Sequence, residues 1–195
     1  MSTVANFSDL DLSKSYTYAD YLKWTFEERV ELIKGIIKKM SPAPSRMHQT
    51  VSVEILGIFR EFFKNQSCNL YHAPFDVRLP VPSKKKDTTV VQPDICVVCD
   101  ESKLDELGCN GSPDLIVEII SSNNSKHDTV TKYNLYEEAS VLEYWIVDPI
   151  NRMILVYILE NGKYRGLNPF AENMIIESYA IKGLKVAVDD VFRKI

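Results

Sequence analysis

The sequence predicts a mixed α/β fold in which helices flank a central sheet. Residues 115–120 form a continuous apolar run around one glutamate, which is typical of a central strand buried on both faces. Residues 47–63 repeat apolar side chains at spacings of three and four, the period of an amphipathic helix. A hairpin pattern precedes this helix and several strand patterns follow it. We therefore expect an N-terminal β-hairpin, a mixed sheet with helices packed on it, and a C-terminal β-rich extension.

The length and the composition predict one domain. The chain has 195 residues, of which 45% are hydrophobic, and this is enough for a single substantial core. We expect a flexible N-terminal arm over residues 1–15 and one domain over residues 16–195. The domain should open with a short helix, because Thr17 and Asp20 have the spacing of a capping box.

The remaining elements follow from local patterns in chain order. Two short apolar runs around Lys34-Gly35 predict a hairpin, because glycine suits the second place of a two-residue turn. The helix of residues 47–63 comes next. We then predict strands over residues 70–80, 90–98, 114–120, 141–147, 153–159, 163–167, 174–179 and 184–188, and a second helix over residues 126–139. The polar stretches at residues 80–88 and 100–112 predict loops, the second with room for a short helix.

The charge of the chain excludes some classes of function. A net charge of −4 counts against tight, sequence-independent coating of nucleic acid, although an enzyme can still meet phosphate through a local patch and a bound cation. We interpret the lysines at 34, 38, 39 and 84–86 as solvated surface. No apolar run approaches the roughly 20 residues that span a bilayer, and the N-terminus lacks a secretion signal. The expectation is a cytoplasmic protein with no membrane partner.

The cysteines and histidines do not form the spacing of a metal site. Without a secretion signal, we expect Cys68, Cys96, Cys99 and Cys109 to be reduced and to fill apolar space. Cys96 and Cys99 lie three apart on a predicted strand, so their side chains point to opposite faces. The three histidines are scattered, which disfavours zinc.

Glu118 is the most informative residue, because it lies inside an apolar run. A carboxylate in such a place is costly unless it binds a metal or forms a buried ion pair, and both remain open. Asp114 lies on the same predicted strand and face as Glu118, but the two residues are about 13 Å apart, which is too far for both to bind one ion. Asp94 begins another predicted strand, and adjacent strands are about 4.8 Å apart. Asp94 and Glu118 could therefore converge on one Mg²⁺ or Mn²⁺, which bind oxygen ligands.

Two further side chains could complete such a site. Lys132 shares a helix face with Asp128 and Tyr136. It forms either a surface pair with Asp128, or a site lysine that orients or deprotonates water and stabilises charge on a phosphate. Glu31 either adds a carboxylate to the site or pairs with a hairpin lysine such as Lys38.

Two other residues have plainer interpretations. His48 heads the long helix and could contact phosphate, but we interpret it as a capping or surface residue. Trp145 lies in an apolar strand pattern, so we assign it to the core rather than to a base-stacking surface.

Six segments of the chain together carry a family resemblance. In chain order they are residues 31–35 (ELIKG), Ser41-Pro42 with His48, residues 92–95 (QPDI), residues 113–119 (PDLIVEI), the trio Asp128, Lys132 and Tyr136, and residues 143–149 (EYWIVDP). These segments resemble the Uma-two family of endonucleases, within the PD-(D/E)XK restriction-endonuclease-like superfamily. The resemblance covers about residues 17–192.

The resemblance implies a restriction-endonuclease-like fold and a metal-dependent endonuclease that hydrolyses phosphodiester bonds in DNA. In this interpretation Asp94 and Glu118 bind Mg²⁺ or Mn²⁺, with the carbonyl of Ile119 as a further ligand, and Lys132 acts on the water, while Glu31 stays a further candidate for the catalytic set. The wider superfamily has its lysine two residues after the glutamate, where this chain has Ile120. The resemblance implies that Lys132 replaces it from the helix, and that the protein acts as a homodimer.

Two other functions are open at this point. The acidic charge and Ile120 favour a catalytically inactive nucleic-acid-binding or homo-oligomeric assembly module on the same fold. A metal-dependent hydrolase of a smaller phosphate ester is the third hypothesis.

Overall fold

The computed structural model describes residues 3–40, 43–82, 87–121 and 126–195, and the side chains of these except at 126–128. Within these ranges the helices are α1 (Tyr18–Tyr21), α2 (Arg46–Phe63), α3 (Lys126–Glu138) and α4 (Val188–Phe192). The strands are β1 (Val30–Ile33), β2 (Ile36–Lys39), β3 (Asn69–His72), β4 (Val77–Arg78), β5 (Val90–Val91), β6 (Ile95–Val98), β7 (Leu104–Asp105), β8 (Gly108–Asn110), β9 (Leu115–Ile119), β10 (Glu143–Asp148), β11 (Met153–Glu160), β12 (Lys163–Gly166), β13 (Ile175–Glu177) and β14 (Lys185–Ala187). They form two six-stranded sheets, ordered β2-β1-β5-β4-β8-β7 and β12-β11-β10-β9-β6-β3, and a ribbon of β13 and β14. None of these helices is long and apolar enough to cross a bilayer.

The sheet that contains β9 and β10 is the centre of the fold. These two strands run parallel, and the other neighbours in the sheet run antiparallel, so the sheet is mixed. Successive side chains point to opposite faces. Val117 and Trp145 pack with α2 on one face, and Ile116 and Tyr144 pack with α3 on the other. The predicted mixed α/β fold is confirmed, and Trp145 is a core residue with no exposed surface.

The predicted N-terminal hairpin is present as β1 and β2. Lys34 and Gly35 form its turn with φ of 53° and 86°, the left-handed backbone of the two-residue turn that matches strand twist. A side chain on Gly35 would also overlap Ser15. Leu32 of β1 pairs with Val90 of β5, so the hairpin is held at the edge of the other six-stranded sheet. One face of the hairpin is thereby presented to the central sheet.

Residues 3–15 contact the domain at several points. Val4 forms a β-bridge with Trp24, Leu10 is buried, and the Phe7 ring meets the Phe26 ring at 5.6 Å between centroids. The flexibility of this arm stays a prediction. The capping box of α1 is present, since Asp20 Oδ2 accepts a hydrogen bond from the Thr17 N–H at 3.0 Å.

Two predicted strands each divide in two. Residues 70–80 form β3 and β4, and residues 90–98 form β5 and β6, with each half in a different sheet. Prolines lie at both divisions, and a proline lacks the N–H that a ladder needs. The loop predicted over residues 100–112 contains a short helical turn and the strands β7 and β8. The lysines at 84–86 and Ser41-Pro42 lie outside the described residues.

The C-terminal extension is β-rich as predicted, and it also contains α4, which was not predicted. α4 packs against α2 in the apolar cluster beneath the central sheet. Glu54 of α2 is 5% exposed. It accepts a hydrogen bond from Arg193 Nε at 2.6 Å and forms an ion pair with Lys194 at 2.7 Å. These contacts tie the end of the chain to the helix that carries His48.

The expectation of four reduced cysteines is wrong for two of them. Cys68 and Cys99 form a disulfide. β3 pairs with β6 in the register Asn69 to Val98, and continuing by one residue puts the two cysteines opposite each other, with their Cα atoms 4.0 Å apart. Strand pairing between distant segments was not visible in the sequence. Cys96 and Cys109 are free, buried thiols, as expected.

Candidate active site

The pairing of β6 with β9 brings Asp94 and Glu118 together. These strands are antiparallel with Ile95 opposite Val117, and one further step in this register puts Asp94 opposite Glu118. The Ile119 N–H donates to Asp94 Oδ2 at 2.8 Å, which joins the two positions directly. The two acids therefore lie side by side at the rim of the central sheet.

Lys132 reaches the same point from α3. Its Nζ lies 2.8 Å from Glu118 Oε1 and 3.1 Å from Glu31 Oε1, and the three side chains are at most 18% exposed. Tyr136, one turn further along α3, donates its hydroxyl to Glu118 Oε1 at 2.6 Å. Lys132 is thus a largely buried lysine between two carboxylates. The side chain of Asp128, its alternative partner, lies outside the described part of the chain.

Glu31 enters the site from the hairpin. Alternation along β1 points Glu31 away from Leu32, which is buried in the cluster behind the hairpin. Its Oε1 also accepts from the Gln92 N–H at 3.0 Å, just before Asp94. Lys38 is its cross-strand neighbour in β2, but the ion pair that Glu31 forms is with Lys132. The structure therefore places all four candidate side chains around one point.

The interpretation of His48 as a capping or surface residue is wrong. Ser45 is the N-cap of α2, and its hydroxyl accepts from the His48 N–H. The imidazole is buried, and its Nε2 lies 3.1 Å from Asp94 Oδ2. Burial opposes the charged imidazole, but the hydrogen bond and charge of Asp94 and the charge of Glu118 outweigh it and raise the pKa of His48. His48 and the Ile119 N–H therefore both hold the Oδ2 atom of Asp94.

The site carries an excess of negative charge. Burial raises the pKa of Glu118 to about 7 against the attraction of Lys132, and the charges of Asp94 and Glu31 raise it further. Burial also opposes the charge on Lys132, but Glu118 and Glu31 outweigh that effect and hold the pKa of Lys132 above its usual value. Glu31 and Glu118 thus share Lys132, and Asp94 pairs with His48. A divalent cation would balance the remaining charge.

The free oxygens of the two acids fit such a cation. Asp94 Oδ2 and Glu118 Oε1 are engaged by donors, whereas Asp94 Oδ1 and Glu118 Oε2 have no hydrogen-bond donor among the described residues. The same residues contain no ready group of three or more acidic, histidine or cysteine ligands. Mg²⁺ commonly takes only one or two carboxylates and completes its shell with water and phosphate. Asp94 and Glu118 therefore suit Mg²⁺ or Mn²⁺.

These groups open into a cavity of about 190 Å³. Asp94, Glu118 and Lys132 line it from the sheet and α3, and residues of the hairpin line it as well. Ile119 and Ile120 also line it. The arrangement can bind a metal, a water and an anionic group together.

Replacing His48 by alanine should weaken Mn²⁺ binding by about 10- to 100-fold, because residues that orient a metal ligand typically contribute this much. His48→Gln should retain most of the affinity, since its amide nitrogen can donate to Asp94 as Nε2 does. A thermal-shift titration with Mn²⁺ measures both variants. Equal Mn²⁺ affinity in His48→Ala and wild type would show that His48 does not orient Asp94.

Sequence reasoning missed the supporting residues of the site. Tyr136 and His48 were present in the resemblance but received no role in the site, although Tyr136 stands four residues from Lys132 on one helix face. Gln92 had no signal of its own. Its side-chain Oε1 accepts a hydrogen bond from Arg29 at 2.9 Å, and its Nε2 donates one to Asp76 at 2.9 Å.

The mixed sheet and its rim of carboxylates define a protein of restriction-endonuclease-like fold. The chain belongs to the Uma2 family, whose model matches residues 18–189 and is described as "Putative restriction endonuclease". An uncharacterised protein of Synechocystis sp. (strain ATCC 27184 / PCC 6803 / Kazusa) is 26% identical over 178 residues, which are 89% of this chain and 90% of that protein.

A solved structure from Anabaena variabilis ATCC 29413 has the same fold. It is described as "a putative nuclease belonging to DUF820", and it matches 91% of this chain and 98% of its own with a TM-score of 0.72 and 19% identity. The resemblance noted in the sequence and the fold class that it implied are both confirmed.

Proposed function

We propose that this protein is a metal-dependent nuclease that hydrolyses phosphodiester bonds in DNA. The observation that carries the proposal is the meeting of Asp94 and Glu118, each with an open carboxylate oxygen, beside the buried amine of Lys132. The family description, that of an endonuclease, supports the same chemistry. From the composition of the chain we also propose that the protein is cytoplasmic, and by resemblance that it works as a homodimer.

In this proposal the residues of the site divide the work. Asp94 and Glu118 would hold Mg²⁺ or Mn²⁺, with the carbonyl of Ile119 as a further ligand. When bound, the ion would supply a water of lowered pKa and would neutralise charge on the phosphate. His48 and the Ile119 N–H fix Asp94, and Tyr136 fixes Glu118.

Lys132 acts on the reacting groups. Glu31 and Glu118 hold its ammonium at the floor of the cavity, where it orients the attacking water and stabilises charge that develops on the phosphate. The water loses one proton to solvent as its oxygen bonds to phosphorus in line with the P–O3′ bond, and the 3′-oxygen leaves with the bonding electrons and takes up a proton. Ile120 replaces the lysine of the wider superfamily, and Lys132 supplies the amine from α3 instead.

The test is cleavage of supercoiled plasmid DNA with Mg²⁺, with Mn²⁺ and with EDTA. We expect nicked or linear DNA with either ion and intact plasmid in EDTA, because without the ion the pKa of the attacking water is not lowered. An RNA strand and a small phosphodiester, tested in parallel, identify the substrate class. Cleavage of the small ester alone would favour the hydrolase of smaller phosphate esters.

Metal binding separates the nuclease from the inactive module. A site that binds Mn²⁺ only in the folded state gains about 2.7 kcal/mol of stability when the ion is at 100 times its Kd. We expect such a gain in wild type and its loss in Asp94→Ala. A wild-type protein that shows no thermal shift with Mn²⁺ and no cleavage would instead favour the nucleic-acid-binding or assembly module. The net charge of −4 and Ile120 support that alternative.

A further inference from the structure

The hairpin wall of the cavity carries basic side chains that the proposed mechanism does not use. β1 and β2 pair with Glu31 opposite Lys38, and the Met40 N–H bonds to the Arg29 carbonyl, so this register continues to Arg29. Side chains that are opposite or two apart share a face of a hairpin. Arg29, Lys38 and Glu31 therefore point to the same side, and all three line the cavity.

These two cations differ from the other basic residues nearby. Lys132 is held by Glu118 and Glu31, and Lys34 is paired with Glu138. Lys39 lies 5.0 Å from the centre of the Phe7 ring and 3.7 Å from Glu28. Each of these amines already has a partner.

Arg29 and Lys38 keep free donors. Both are exposed. Arg29 uses one guanidinium nitrogen to donate to Gln92, and Lys38 has no hydrogen-bond or ion-pair partner among the residues that the structure describes. A guanidinium with free N–H groups and an unpaired ammonium are the donors that bind phosphate oxygens.

The charges of the cavity form two tiers. At the floor, Asp94, Glu118 and Glu31 outnumber Lys132, and this tier suits a divalent cation. Nearer the solvent, the wall carries Arg29, Lys38 and Lys39. The four cations that line the cavity exceed its three carboxylates by one, in a chain whose net charge is −4. The opening is thus locally positive in an acidic protein.

We propose that Arg29 and Lys38 form a second phosphate site, which binds the phosphate next to the one that is cut. This inference rests on the proposed nuclease function. The Cα atoms of residues two apart on a strand are about 7 Å apart. The Cα of Arg29 is therefore about as far from the Cα of Glu31, at the floor of the cavity, as one backbone phosphate is from the next. The ligand is the backbone phosphate of a nucleic-acid strand, and the site reads no base.

The experiment measures binding of labelled DNA in EDTA as a function of salt, and cleavage with Mg²⁺. Each lost phosphate contact reduces the slope of log K against log salt by about 1. We expect this reduction in Arg29→Gln and in Lys38→Gln, together with a KM raised several-fold and a kcat within about twofold of wild type. Lys38→Arg should restore both the slope and KM, because it keeps the charge.

Matched controls are available at exposed positions outside the cavity. Lys182→Gln and Arg60→Gln remove an exposed lysine and an exposed arginine that do not line the cavity, and neither should change the slope or KM. Single-stranded and duplex DNA are compared. A reduced salt slope in the variants with either substrate supports the second phosphate site. A slope that is reduced with duplex alone shows that the bound phosphate belongs to duplex DNA.

The outcomes also separate this inference from the nuclease function. Unchanged slopes and KM in both variants, or no DNA binding by wild type, overturn the second phosphate site. A wild-type protein that cleaves nothing, while Arg29→Gln and Lys38→Gln lower the salt slope, overturns the nuclease and leaves the phosphate site standing.

Discussion

Replacing Lys132 by methionine is expected to destabilise the metal-free protein by about 3–5 kcal/mol and to lower DNA cleavage by about 100- to 1,000-fold. Methionine keeps much of the length of lysine and removes its charge. Glu31 and Glu118, which are 7% and 14% exposed, would then lose the ammonium between them. The stability cost comes from two largely buried carboxylates without a counter-charge. The loss of cleavage comes from the missing cation at the phosphate.

Urea unfolding in EDTA measures the first effect, and single-turnover cleavage with Mg²⁺ measures the second. Lys163→Met is the control, because Lys163 is 80% exposed and pairs with Glu137 at the surface, where such a pair contributes at most about 1 kcal/mol. We also expect Mn²⁺ to raise the Tm of Lys132→Met by more than that of wild type, since the ion replaces part of the lost charge.

A double variant separates the two effects of Lys132. Adding Glu31→Gln to Lys132→Met removes one of the two uncompensated charges and should recover part of the stability without recovering cleavage. If Lys132→Met matched wild type in both stability and cleavage, Lys132 would have neither role. Recovery of cleavage together with stability would reduce Lys132 to a structural residue.

Replacing Glu143 by alanine is expected to destabilise the protein by about 4 kcal/mol, because it leaves buried donors without acceptors. Glu143 lies on β10 and has no exposed surface. Its two oxygens accept from Trp145 Nε1 at 2.6 Å, from Ser178 Oγ at 2.7 Å and from the Ala180 N–H at 2.7 Å. The carboxylate thus joins the core of the central sheet to the C-terminal extension.

A graded series tests this account by urea unfolding. Ser178→Ala removes one donor and should cost about 1 kcal/mol. Glu172→Ala, at an exposed position, should change stability by no more than about 0.5 kcal/mol. Glu143 does not line the cavity. At temperatures below its Tm, the folded Glu143→Ala protein should therefore bind Mn²⁺ as wild type does. A Glu143→Ala protein as stable as wild type would mean that Trp145 and Ala180 find other acceptors.

The local elements of this fold could be predicted because each has a short-range cause. The turn at Lys34-Gly35 needs a backbone that glycine tolerates, and the stripe Val51, Ile55 and Phe59 needs a helix. The division of residues 90–98 at Pro93 was also visible in principle, but its consequence was not. β5 and β6 belong to different sheets, and only long-range pairing decides that.

The site could be predicted in part for the same reason. Glu118 stood out because a carboxylate in an apolar strand needs a partner, and Asp94 because it begins a nearby strand. His48 did not stand out, since its contact with Asp94 joins a helix to a strand entry 46 residues away. The Cys68–Cys99 disulfide was missed because it depends on the register of β3 against β6.

The sequence by itself determined the family, the kinds of element and the acidic and basic residues that a nuclease site would use. Only the tertiary structure decided that Asp94 faces Glu118 across two antiparallel strands, that Lys132 lies between Glu118 and Glu31, and that Arg29 and Lys38 line the same cavity. The physical reason is range. Turn and helix preferences act between neighbours in the chain, whereas strand register and burial are set by the packing of the whole core.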